Sequence, residues 1–237
     1  MLELVPGGFE EVEGSGWVEL AAYTDGAGEM RIRATFDDVS TRSVDRGWAY
    51  RWREFHRPVR VGGLWICPPW EPAPRDENVV VVDPGRAFGT GAHATTRMCI
   101  ELLAGLERGS LLDAGCGSGV IAVAAVRLGF GPVFAADVDP IAVGVARETA
   151  GRNGVSIEVR EADVMRDDLR PVDVLVANIE LAVVEVLLAR RPALARTIVT
   201  SGYLAGERPQ AKRWAIVRGV ELDGWAAQVW FANDVPD

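Results

Sequence analysis

The chain has 237 residues, 49% of them hydrophobic, which is enough for one full α/β domain with a small appendage. Its 25 basic and 34 acidic residues leave a net charge of -9, which argues against a phosphate-backbone partner, since that would ask for a basic patch. No apolar run reaches the ~18 residues of a membrane helix, and Met1-Leu2-Glu3-Leu4 carries an acid where a secretory signal carries a base.

The 3 cysteines, Cys67, Cys99 and Cys116, show no paired spacing, so neither a disulfide framework nor a structural zinc is expected. Together these features point to a protein of the reducing cytoplasm with no membrane or DNA partner and no metal.

Residues 1–57 differ from the rest and are read as a small region of their own. Val18, Leu20 and Ala22 alternate with Glu19 and Ala21, Asp25-Gly26 and Gly28 supply a turn, and Met30 to Ala34 alternate again, which predicts a β-hairpin. Arg46 to Phe55 sets Trp48, Trp52 and Phe55 at near-helical spacing, as in a short helix docking aromatics. Pro58, Pro68, Pro69, Pro72 and Pro74 make 58–77 a semi-rigid connector, with short edge strands at Val59–Val61 and Leu64–Ile66 around Gly62-Gly63. A domain boundary is placed near residue 75, and 78–237 is expected to be the main domain.

From residue 110 strand and helix signals alternate. Strands are predicted at Ser110–Asp113, Val133–Asp137, Ser156–Val159, Val172–Asn178 and Leu194–Thr200. Helices are predicted over 118–128, from Asp139-Pro140 to Asn153, over 180–190, and briefly over 206–212. Ala215–Leu222 and Trp225–Phe231 flank Asp223-Gly224, a strong hairpin signal. The fold class is therefore α/β: a mostly parallel seven-stranded, Rossmann-like sheet with an antiparallel edge hairpin, plus a small α+β N-terminal region.

The chemistry concentrates after the first of these strands, in Asp113-Ala114-Gly115-Cys116-Gly117-Ser118-Gly119-Val120. A strand ends, glycines follow at alternate positions, and a helix begins, so the backbone can turn sharply and meet a ligand closely. The dinucleotide spacing G-x-G-x-x-G would need glycine at position 120, which is Val120. Asp137 lies at the end of the next strand, where a carboxylate accepts both hydroxyls of a ribose. That residue indicates a nucleoside without choosing the cofactor. Asp163 follows the third strand in a generally acidic segment with Glu161, Asp167 and Asp168.

The D-x-G-x-G-x-G form resembles motif I of class I S-adenosylmethionine-dependent methyltransferases. Upstream, Asp83-Pro84-Gly85-Arg86-Ala87-Phe88-Gly89-Thr90-Gly91-Ala92-His93-Ala94-Thr95-Thr96-Arg97, and downstream Val174-Leu175-Val176-Ala177-Asn178-Ile179, extend the likeness. Over roughly 46–237 the chain resembles the bacterial methyltransferases of ribosomal protein L11, which modify lysine side chains and the N-terminal amine of that protein. The resemblance implies S-adenosylmethionine as cofactor, held by Thr96, Gly115, Asp137 and Asn178. Asp113, Gly117, Phe88 and Asp163 are expected to contribute. Phe88-Gly89-Thr90-Gly91 would be a flap over the methionine end, and Asn178, Thr90 and His93 are the candidates for catalysis. Residues 1–57 would be a substrate-recognition region.

Methyl transfer to an amine is an in-line displacement at carbon already activated by positive sulfur, so alignment and desolvation matter more than a strong base. Two departures from the family bear on the acceptor. The N-terminal region is shortened, and Asn178-Ile179 is followed by Glu180 where the family has leucine. They leave open an alternative, a methyltransferase of the same fold acting on another protein lysine or a small amine.

Overall fold

The computed structural model describes residues 10–14, 17–22, 24, 26–36, 38–41, 57–72, 78–83, 91–190 and 193–232. The chain divides into two compact units, Met1–Arg51 and Trp52–Asp237. Among the described residues no helix is long and apolar enough to cross a membrane.

In the first unit β1 (Glu10–Gly14) pairs antiparallel with β2 (Trp17–Ala21), from Glu10↔Ala21 to Gly14↔Trp17. The second arm expected at Met30 to Ala34 is instead part of a helix, α1 (Gly26–Arg33). Period two and period 3.6 are hard to separate over so short a run. The helix gains a pair that a strand cannot make: Arg33 Nε sits 2.9 Å from Glu29 Oε1 one turn earlier, and the same guanidinium donates to Val39 O and Thr41 Oγ1. The helix expected over 46–55 lies outside the described residues.

The second unit opens with a three-stranded sheet. β3 (Val59–Val61) and β4 (Leu64–Cys67) form a hairpin around Gly62-Gly63, and β5 (Val79–Val81) runs parallel to β4. Leu64, Ile66 and Cys67, inside the proline-rich stretch, are buried in this unit.

The seven-stranded sheet has the order β11-β12-β10-β9-β6-β7-β8. Its strands are β6 (Leu111–Ala114), β7 (Val133–Asp137), β8 (Glu158–Glu161), β9 (Val172–Asn178), β10 (Ala195–Leu204), β11 (Trp214–Leu222) and β12 (Trp225–Ala232). β6 to β10 are parallel, and β12 is antiparallel to both β10 and β11. Among the described residues four helices accompany them: α2 (Ala94–Ala104), α3 (Val120–Arg127), α4 (Pro140–Arg152) and α5 (Leu181–Arg190). Alternation along each strand sorts side chains to two cores. One core holds Val176, Val199, Ala227 and Val229 with residues of α2, α3 and α4. The other holds Ala177, Ile198, Tyr203 and Trp230 with Val184, Leu187 and Leu188 of α5.

The third parallel strand starts two residues later than expected, at Glu158. The short helix expected over 206–212 does not form: residues 205–213 are turns and irregular chain. Pro209 disfavours a helical Arg208, and the local bonds go elsewhere, Leu204 N to Glu207 Oε2 at 2.7 Å and Gln210 N to Glu185 Oε1 at 3.0 Å.

Candidate active site at the carboxyl end of the sheet

β6 is the middle one of the five parallel strands, hydrogen-bonded to β7 on one side and β9 on the other, and all four of its residues are buried. Beyond it the chain turns at once. Gly115 N and Cys116 N both donate to Ala136 O, at 2.8 and 3.0 Å, which straps the loop onto β7. Gly115, Gly117 and Gly119 have φ of 72°, 51° and 75°, a region that costs other L-residues ~1–2 kcal/mol each. At Gly115 a Cβ would stand 2.5 Å from Ile179 Cγ2, so this position is closed by packing as well as by backbone conformation.

Asp113 lies beneath the loop. It is 1% exposed, and its Oδ2 accepts the amide of Ala122 at 3.0 Å, tying the first turn of α3 to the end of β6. Burial pushes its carboxyl up to about 7; the Ala122 amide opposes that shift and the nearby Asp137 charge adds to it. The folded state therefore binds a proton more readily than the unfolded chain. The stability this group contributes is full below its ordinary value of 3.8 and is lost as pH rises through about 7. Asp113→Asn removes that dependence. Between pH 4 and pH 8 the variant is expected to gain on the parent by up to ~4 kcal/mol, at ~1.4 kcal/mol per unit. Urea unfolding across that range checks this, and a stability difference independent of pH would refute it.

Asp137 closes the other lip. Its Oδ2 accepts Gly117 N at 2.9 Å and its Oδ1 accepts Asp139 N at 3.0 Å, so the carboxylate spans the glycine loop and the start of α4. Asp139 caps that helix through Ile141 N at 2.8 Å. Each oxygen of Asp137 retains a lone pair for a further donor. Ala162 N donates to Asp137 O at 2.9 Å and so brings Asp163 alongside. The Asp163 carboxylate is engaged in its own turn, by Met165 N at 2.9 Å and Arg166 Nε at 3.5 Å.

The start of α2 meets the end of β9. His93 is its N-cap, with Nδ1 accepting Thr95 N at 3.4 Å and lying 2.8 Å from Thr95 Oγ1. Thr96 is 1% exposed, and its Oγ1 receives Asn178 Nδ2 at 3.5 Å from the end of β9. Thus Gly115, Gly117 and Asp137 line one side of the sheet's carboxyl end, and His93, Thr96 and Asn178 the other. Phe88 and Thr90 lie outside the described residues. Among the described residues no group of three His, Cys, Asp or Glu side chains is placed to hold a metal ion.

Two residues of this end escape sequence reasoning. Trp225 meets the His93 ring edge-on, with centroids 5.1 Å apart and planes at 70°. Gly202, at the register shift of β10, packs onto the backbone of Ile179. A lone glycine inside a strand is the usual sign of a bulge, and that signal was available; nothing local announces the Trp225 contact.

The arrangement suits an adenosyl cofactor, with a carboxylate at the ribose position, the glycine loop beside it, and hydroxyl and amide groups opposite. The chain matches the family described as ribosomal protein L11 methyltransferase (PrmA) over residues 17–227. It is 37% identical over 253 aligned positions to a protein of Symbiobacterium thermophilum named ribosomal protein L11 methyltransferase, covering 96% of this chain and 83% of that one. Of other relatives bearing that name it covers 46–67% of the length. The crystal structure of a ribosomal protein L11 methylase from Lactobacillus delbrueckii subsp. bulgaricus superposes with a TM-score of 0.67 at 25% identity, over 75% of this chain and 100% of that one. An RNA methyltransferase from Salinibacter ruber, solved in complex with S-adenosyl-L-homocysteine, superposes with a TM-score of 0.50 at 25% identity, over 59% of this chain and 91% of that one. The fold is that of the class I S-adenosylmethionine-dependent methyltransferases, and with this sequence match the chain belongs to the ribosomal protein L11 methyltransferase family.

Proposed function

We propose that this protein transfers methyl groups from S-adenosylmethionine to amino groups of ribosomal protein L11, in the cytoplasm where that protein is made. The observation that carries the reading is the convergence of Asp137, the glycine loop and Asn178 at the carboxyl end of adjacent parallel strands, where such sheets take their ligands. The bound cofactor supplies a methyl group on positively charged sulfur.

In this reading Asp137 accepts the ribose hydroxyls, and the loop at Gly115 and Gly117 lies against the adenosyl group. Thr96 and the first turn of α2 face the amino-acid end, where free amides and a hydroxyl suit a carboxylate. Asp163 stands beside the adenine edge, and Asp113 supports the loop from below. Asn178 orients the acceptor nitrogen.

His93 is assigned to positioning. Its Nδ1 is engaged within the helix cap, 3.4 Å from Thr95 N and 2.8 Å from Thr95 Oγ1. A base is not needed if the amine arrives neutral, and a desolvated mouth beside a cation drives a lysine, with ordinary pKa ~10.4, toward that form.

The test is intact-mass analysis of purified L11 after incubation with the protein and S-adenosylmethionine. Mass increases in whole methyl steps on lysine or the N-terminal amine are expected. An unmodified L11, from protein that binds S-adenosylhomocysteine normally, would overturn the substrate; products only from low-mass amines would replace it with a small-molecule acceptor.

A further inference from the structure

The reacting end of the sheet is not level. β9 and β10 are in register at Asn178↔Ser201, but β10 continues to Leu204. At ~3.3 Å per residue this carries the strand several ångströms above Asn178. Alternation fixes which way its side chains face. Val176 and Val199 point into the core beneath α2, α3 and α4, so Asn178 and Ser201 are on that face too. The register shift between Ser201 and Tyr203 absorbs Gly202; Tyr203 then points into the α5 core, and Leu204 returns to the α2 face.

Leu204 is directly opposite Trp225 on β12, and directly opposed residues of an antiparallel pair share a face. Trp225 packs against the α2-side core and stands edge-on to His93. His93 holds Thr95, and the next residue, Thr96, reaches Asn178. These contacts draw an arc from Asn178 through the start of α2 to Trp225 and Leu204. The arc ends in a leucine that is 50% exposed, on the working end of the sheet.

We propose that Leu204 and Trp225 form an apolar wall that receives the methylene stem of the acceptor's lysine side chain and so select the acceptor without holding the cofactor; this rests on the lysine methylation proposed above. Lysine covers apolar surface with its stem while its head stays polar. A wall of leucine and indole above Asn178 suits that stem and strips water from the nitrogen as it arrives, which favours the uncharged, reactive amine. A short polar acceptor would leave the wall uncovered.

The probe is a cofactor analogue in which nitrogen replaces the sulfur and carries an n-hexyl chain, which follows the acceptor's path whatever the natural substrate. Calorimetry compares it with S-adenosylhomocysteine on the parent, Leu204→Asn and Leu204→Ala. The parent is expected to bind the hexyl analogue at least ~10-fold more tightly than S-adenosylhomocysteine, since each buried methylene contributes. Leu204→Asn should abolish that gain and Leu204→Ala reduce it, both with S-adenosylhomocysteine affinity within ~2-fold of the parent. No gain in the parent, or an undiminished gain in Leu204→Asn, would overturn the wall. Silence on L11 with the gain intact would overturn the substrate and leave the wall standing.

Discussion

Gly202→Ala is expected to destabilise the second unit by ~3 kcal/mol or more and to abolish methyl transfer. The position has φ 98°, a conformation that L side chains rarely adopt. A Cβ there would stand 2.2 Å from Ile179 O, 2.7 Å from Ile179 C and 2.9 Å from Ile179 N. These are backbone atoms, so no rotamer change relieves the clash, and the chain at 178–180 must move. Moving it strains the bond from Ile179 N to Ser201 O, 3.1 Å, and shifts Asn178. Conformational strain and steric displacement together belong to the severe class of single substitutions. Gly206→Ala is the control, because a Cβ there meets nothing within 4 Å. Urea unfolding and turnover on L11 give the result. A Gly202→Ala protein with the parent's midpoint and activity would show that β10 does not hold the active-site end of β9.

Much of this arrangement was readable from the residues. The buried strand at Leu111–Ala114, the alternate glycines and Asp137 are consecutive features, and a central parallel strand reads as a continuous apolar run. Asp139-Pro140 marked the start of α4 because a cap and a first-turn proline are local chemistry. The Asp223-Gly224 turn marked the terminal hairpin for the same reason.

What failed was equally physical. Met30-Arg31-Ile32-Arg33 alternates like a strand, and the Glu29–Arg33 pair that helps settle it as a helix has an acid outside the alternating run. The helix expected over 206–212 ignored the effect of Pro209 on its predecessor. The position of Trp225 against His93 joins residues far apart in sequence. The face of Leu204 depends on a bulge in β10, and alternation read without that bulge places Leu204 on the wrong side.

The central claim is that the adenosyl group lies between the glycine loop and Asp137. On that claim Asp137→Ala removes a carboxylate acceptor from two ribose hydroxyls, and hydrogen bonds to charged groups contribute ~1.5–3 kcal/mol each. It also strands Gly117 N and Asp139 N, which the carboxylate holds at 2.9 and 3.0 Å, so the loop loses its shape as well as its ligand. Affinity is therefore expected to fall by ~100-fold or more. Asp137→Asn keeps the side chain's size but only one oxygen acceptor, so it retains one of the two amides held by the carboxylate and should bind less weakly than Asp137→Ala, though still at least ~10-fold more weakly than the parent. Calorimetric titration of S-adenosylhomocysteine into the parent and both variants decides the matter. Tight binding by the parent with this graded loss is the predicted result, and equal affinity in all three proteins would place the cofactor elsewhere.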